Sequence, residues 1–152
     1  MRTLYRTLAY VVCALVAVQA AVAVWSIAGF EKYLMEGGVL DMSQEGPPPF
    51  PEVVGFMIHG MNGMYLIPIV ALALLGVSFA AKIPGGSKRA GLVVGLVALQ
   101  IVFGIFGHDI PLIGLLHGLN ALALFTTALL AGSAAGAAPA MTPSPRSTAA
   151  GV

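Results

Sequence analysis

The sequence predicts an all-α protein: a transmembrane four-helix up-and-down bundle built from two duplicated helical hairpins. Three observations predict it. Charged residues make up 9% of the chain and apolar ones 59%, with a mean hydropathy of +0.95. A soluble domain averages about 25% charged, so this composition belongs to a membrane chain. The apolar residues fall into four runs long enough to cross a hydrocarbon layer of about 30 Å. Finally, a set of polar residues inside those runs occurs twice, in the same order.

The four spans are read at about 7–30, 53–81, 90–107 and 110–131, and residues 132–152 as a disordered cytoplasmic tail. The first span follows Arg2 and Arg6 and continues past Ala21-Val22-Ala23 to Phe30. That length suits a span rather than a cleaved secretory signal. The segment 31–52 carries Gly37, Gly38 and the prolines 47–49 and 51, which do not continue a helix, so it reads as an extended outer loop or lid. Pro68 is expected to kink the second span. Pro84, Gly85 and Gly86 predict a tight inner turn. The outer connection, His108 to Pro111, is so short that the third and fourth spans must be antiparallel neighbours. Gly91/Gly95 and Gly114/Gly118 have the small-xxx-small spacing of closely packed membrane helices. The tail is rich in Ala, Gly, Ser, Pro and Thr, a composition too poor in large apolar side chains to fold.

Charge placement orients the chain. Arg2, Arg6, Lys82, Lys88, Arg89 and Arg146 fall on one side, and all six acidic residues fall on the other with Lys32. Basic connections remain cytoplasmic, so both termini are expected inside a plasma membrane. Trp25, Phe30, Tyr33, Phe50 and Phe56 fall at the outer boundary, where aromatic side chains anchor. Gly- and Ala-rich usage points to a bacterial source. The bilayer is the expected partner, with a second copy or a membrane complex as further possibilities. No basic patch exists outside this topology, which excludes nucleic acid. Cys13 is alone and forms no internal disulfide.

Residues 15–19 (LVAVQ) return as 96–100 (LVALQ), and 59–62 (HGMN) return as 117–120 (HGLN). Gln19 and Gln100 are 81 residues apart and His59 and His117 are 58 apart; the difference matches the polar segment present only in the first copy. Polar residues inside a membrane span mark a functional site by default. His59 and His117 each lie about 9–10 Å below the outer surface at 1.5 Å per residue. Two histidines at matched depth on opposite helices suit axial ligation of one haem iron, a haem b. Asn62 and Asn120, three residues on, and the deeper Gln19 and Gln100 are candidates to orient the imidazoles or contact the cofactor. Gly55, Gly60, Gly63 and Gly118 would leave room for a flat macrocycle.

Other readings stay open. Intramembrane His, Asn and Gln also fasten helices together without doing chemistry. The same histidines could serve a proton relay, quinone chemistry or a small transporter. A copper site from Met35, Met42, Met57, Met61 and Met64 is a further alternative to their packing role. His108 has no repeat partner and reads as a solvated interfacial residue.

The passages 15–29, 59–68 and 99–125 resemble a family of small four-span bacterial membrane proteins of unassigned function. In that family a Gln-containing span precedes a His-starting span, twice. The pattern is also similar to one half of a haem A synthase, whose four-helix halves each carry a His pair on the second and fourth helices. The match to the small four-span family covers most of 7–131, without the outer loop and tail, and the likeness to haem A synthase implies His59 and His117 as the haem ligands. That enzyme type has an arginine after the first His, an acidic residue three before it and an outer-loop cysteine pair. Here Gly60 and Phe56 occupy the first two positions and the cysteines are absent. The resemblance therefore implies a haem-binding frame, with local electron transfer or haem handling as its use, rather than haem A synthesis.

Overall fold

The computed structural model describes residues 1–41, 43 and 48–136. These residues form helices and turns with no strand among them. Helix α1 runs Arg2–Met35, unbroken because no proline interrupts it. It ends where Gly37 takes a left-handed φ of 88°. The Gly38 N–H then reaches the Tyr33 carbonyl at 2.9 Å and the Gly37 N–H the Leu34 carbonyl at 3.0 Å. That pair of bonds is the Schellman termination, which favours glycine at the left-handed position. Phe50 folds back onto this end, with ring centres 5.9 Å from Phe30 and 5.8 Å from Tyr33. The described part of the outer loop thus caps α1 rather than covering the other helices; residues 42 and 44–47 lie outside the described residues.

The second span begins with a 3-10 turn, Pro51–Val53, and continues as α2, Val54–Met61. A π-helical turn, Asn62–Leu66, follows, and then α3, Ile67–Ala81. The expected kink at Pro68 is therefore a π turn placed before the proline. Pro68 cannot donate an N–H, and its ring excludes the ordinary carbonyl arrangement of the preceding turn. The inner connection has Pro84 then Gly85 at φ 67°, ψ 11°, and the Gly86 N–H meets the Ile83 carbonyl at 2.8 Å. This is a type II turn, with proline and glycine where that turn requires them. Helix α4 is Gly86–Gly107 and α5 is Pro111–Gly136.

Four helical stretches are long and apolar enough to cross a membrane: Arg2–Met35, Pro51–Ala81, Gly86–Gly107 and Pro111–Gly136. This is the character of a multi-pass membrane protein. Helix formation runs past the expected spans at several ends. Residues 132–136, expected in the tail, are helical, and Gly132 packs against Tyr10 and Gly136 against Arg6. Residues 137–152 lie outside the described residues.

Helix α1 packs on α2–α3 and on α5, and α4 packs on α3 and α5. Lipid tails are as apolar as leucine, so these contacts are held by close packing and hydrogen bonds rather than by a hydrophobic drive. The buried core, including Tyr5, Ala9, Val12, Leu74, Ala90, Val93, Leu124, Ala128 and Ala131, gathers in the half near the start of α1. There the Tyr5 hydroxyl, fully buried, donates to the Gly86 carbonyl at 2.9 Å and ties α1 to α4. Ser78 donates to the Leu75 carbonyl and stands 3.1 Å from Ser87. The opposite half is thinly packed. From Ala98 on α4 to Leu119 on α5 no residue is buried.

In that open half the helices of each pair meet at particular small residues. The Ser26 hydroxyl donates to the Glu52 carbonyl at 2.6 Å, and a Cβ on Gly55 would meet the Ser26 hydroxyl oxygen. A Cβ on Gly107 would lie 3.1 Å from the Gly114 backbone. The expected glycine pairs behave otherwise. Gly91, Gly95 and Gly118 have nothing within 4 Å of a Cβ, so only Gly114 of the four lies at a close helix approach.

Candidate functional site

His59 on α2 and His117 on α5 come from helices that do not pack extensively on each other, yet their rings approach to 6.0 Å between centres, tilted by 47°. Both side chains are partly buried. The His59 Nδ1 lies 3.1 Å from the backbone carbonyl of Gln19, and the His117 Nδ1 lies 3.0 Å from that of Gln100. A carbonyl oxygen only accepts, so in both rings Nδ1 carries the hydrogen. The neutral ring then has its lone pair at Nε2, which has no hydrogen-bond partner among the described residues.

The same two glutamines complete a clamp with their side chains. The Gln19 amide donates to the His59 carbonyl at 2.9 Å, and the Gln100 amide to the His117 carbonyl at 3.0 Å. The Asn62 Nδ2 donates to Gln19 Oε1 at 3.1 Å, and Asn120 Nδ2 to Gln100 Oε1 at 2.5 Å. Each asparagine also points the same nitrogen at a backbone carbonyl one turn further along, Leu15 for Asn62 and Leu96 for Asn120. Every bond made within 15–19 and 59–62 has its counterpart within 96–100 and 117–120. Each set joins two adjacent helices, α1 to α2 and α4 to α5. Asn62 and Asn120 are buried, at 8% and 7% exposure, and this mutual satisfaction is what makes their burial tolerable. One atom is left over: Asn62 Oδ1 is buried without a donor.

The structure brings together all six polar residues named from the sequence, three in each clamp, with the two histidine rings adjacent. His59 and His117 are the pair whose rings approach each other, and the side-chain nitrogens of Gln19, Gln100, Asn62 and Asn120 are taken up by the bonds of their own clamps. Two of the glycines expected to leave room are occupied. Gly55 faces Ser26 and Trp25, and Gly63 faces the Gln19 amide, with Nε2 2.8 Å from where its Cβ would be. Gly60 and Gly118, one after each histidine, face open space. Gly104, on the apolar, mostly small face around Gln100 that the sequence offers for packing against a cofactor or another helix, makes room for the His117 ring, whose Cε1 is 3.3 Å from a Cβ position there. The backbone carbonyls of Gln19 and Gln100 carry no sequence signal, since a main-chain acceptor leaves no mark on residue type.

The remaining candidates are not drawn in. His108 and Asp109 are exposed in the outer connection. Met35 is 88% exposed, Met57 and Met61 63% and Met64 45%; Met42 lies outside the described residues. Among the described residues no three His, Cys, Asp or Glu side chains gather as a metal site. Cys13 is buried, its thiol 3.5 Å from the Phe125 carbonyl.

Comparison with known proteins found no match, whether by family model, by sequence against curated proteins or by fold against solved structures.

Proposed function

We propose that this chain is a plasma-membrane protein holding one haem b between His59 and His117, for local electron transfer or haem handling near the outer face. In this reading the two helical pairs are copies of one hairpin, arranged up and down with both termini cytoplasmic. The matched clamps support the duplication, and the sorting of basic and acidic connections supports the orientation.

The observation that carries the proposal is the state and separation of the two rings. Two imidazole nitrogens, each about 2 Å from a shared metal, put ring centres about 6 Å apart. Rings sharing a direct N–H···N bond of about 2.9 Å would lie nearer 5 Å apart. The 6.0 Å separation favours the first. Fixing both hydrogens at Nδ1 leaves at each Nε2 the lone pair a metal ligand needs, and a carbonyl partner behind a ligand histidine sets its orientation. The thin packing between Ala98 and Leu119, with open space beside Gly60 and Gly118, accommodates a group larger than a bare ion. Two ligands, with no third His, Cys, Asp or Glu gathered, suit a macrocycle that brings its own equatorial nitrogens. Bound haem supplies one-electron storage; the chain positions it, fixes the ligand tautomers and keeps its surroundings apolar.

A second reading is favoured by the clamps alone: all their bonds join neighbouring helices, as in a subunit whose polar repeat only fastens its helices. A visible spectrum separates the two. The haem reading predicts a Soret band in the purified protein that is lost in His59→Ala and in His117→Ala. Normal assembly of a colourless protein, unchanged by added haemin, selects the fastening role.

A further inference from the structure

The two clamps match bond for bond, so the copies differ outward of them, and there the two histidines are not held alike. In the first copy the fully buried Ser26 hydroxyl donates to the Glu52 carbonyl at 2.6 Å, tying α1 to the turn that enters α2. Gly29 faces Glu52 and Gly55 faces Ser26, both glycines buried, and Phe50 is buried against Phe30 and Tyr33. By the repeat intervals Ser26 matches Gly107 and Glu52 matches Ile110. Gly107 has no hydroxyl to donate; it lies against the Gly114 backbone, a contact without a directed bond. No residue of α5 from Pro111 to Leu119 is buried. Gly104 matches Ala23, so the His117 ring has no methyl group behind it where the first copy carries one.

Resting on the haem reading, we infer that His59 is the fixed ligand and His117 the exchangeable one, its axial place open to an uncharged diatomic gas. Segments with few buried contacts open locally at small cost, and the outer half of α5 is such a segment. The α2 segment that carries His59 is held by the Ser26 bond and the aromatic cluster. The exchange breaks the bond from His117 Nε2 to the iron and forms one from the lone pair of the incoming gas. No electron or proton moves, since the His117 Nδ1 hydrogen stays on the Gln100 carbonyl. The released ring has room to withdraw toward Gly104. Apolar surroundings penalise an anion, which selects a neutral ligand.

The test uses the full chain in phosphatidylcholine nanodiscs, loaded with haemin, reduced with dithionite and exposed to carbon monoxide. Diethyl pyrocarbonate then modifies imidazole nitrogens with a free lone pair, and peptide mass spectrometry locates them. The exposed His108 should react throughout. Under carbon monoxide His117 should become reactive while His59 stays protected. Modification of His59 instead, equal modification of both, or no carbon monoxide binding by the loaded chain overturns the inference. Amide hydrogen exchange of the haem-free chain reads the same asymmetry: 111–119 should exchange about tenfold faster than 54–61, and Ser26→Ala should speed 54–61 by about fivefold. Equal exchange in the two segments of the unaltered chain also overturns it. A chain that takes up no haemin fails the haem reading itself, whereas a loaded chain that keeps both histidines protected fails this inference alone.

Discussion

His59 and His117 depend on main-chain atoms for their state. Because the Gln19 and Gln100 carbonyls receive the Nδ1 hydrogens, replacing either glutamine side chain leaves the ring orientation in place. Gln19→Leu is therefore expected to retain the histidine pair while losing its bonds to the His59 carbonyl and to Asn62. Interhelical hydrogen bonds in membranes average about 0.6 kcal/mol and reach about 1.7. A stability loss of about 1 kcal/mol with an unchanged Soret position is the expected outcome, checked by equilibrium unfolding in mixed micelles followed by helical circular dichroism and by the Soret band. A shifted Soret band would show that the side chain sets the ligand. The repeat made all six polar residues legible, since a duplicated pattern of intramembrane His, Asn and Gln is conspicuous in sequence. Their division of labour was not, because it turns on backbone acceptors and on which way each amide points.

The helices show where sequence spacing is and is not a guide to packing. Gly91 and Gly95 have the interval of a tight interface and face open space, whereas Gly55 and Gly107 sit at real contacts. The interval places two residues on one face; it does not say which face meets a neighbour. Gly91→Ala is accordingly expected to change stability by less than about 0.5 kcal/mol. Gly107→Val, pressed against the Gly114 backbone, should cost about 1–3 kcal/mol by overpacking, read from the same unfolding experiment. Tyr5→Phe removes the hydroxyl bond from α1 to the Gly86 carbonyl and should cost about 1 kcal/mol. Pro68 announced a distortion in the second span, but the form it takes, a π turn opening at Asn62, depends on how neighbouring helices accept the freed backbone groups. Helix ends lie beyond the expected span ends for a related reason. Hydropathy marks the stretch suited to lipid, while α1, about 51 Å long at 1.5 Å per residue, continues as helix beyond it.

Across the molecule, tight packing in one half and an open polar half in the other follow from composition. Alanine, valine and leucine meet Tyr5 in the first, and the clamps, glycines and histidines hold the second. The four spans were readable because apolar length and charge sorting are properties of long segments. Single-cysteine chains in a Cys13→Ala background test the orientation: Ser43→Cys and Asp109→Cys should react with an impermeant maleimide added outside intact cells, and Ser87→Cys should not. Labelling of Ser87→Cys alone would invert the topology.

The most direct test of the account is a haemin titration of the full chain in nanodiscs, followed by its low-spin absorption. One haem per chain is the predicted end point, with that spectrum lost in both His59→Ala and His117→Ala. Haemin uptake that never saturates, or a low-spin spectrum that survives both substitutions, would contradict it.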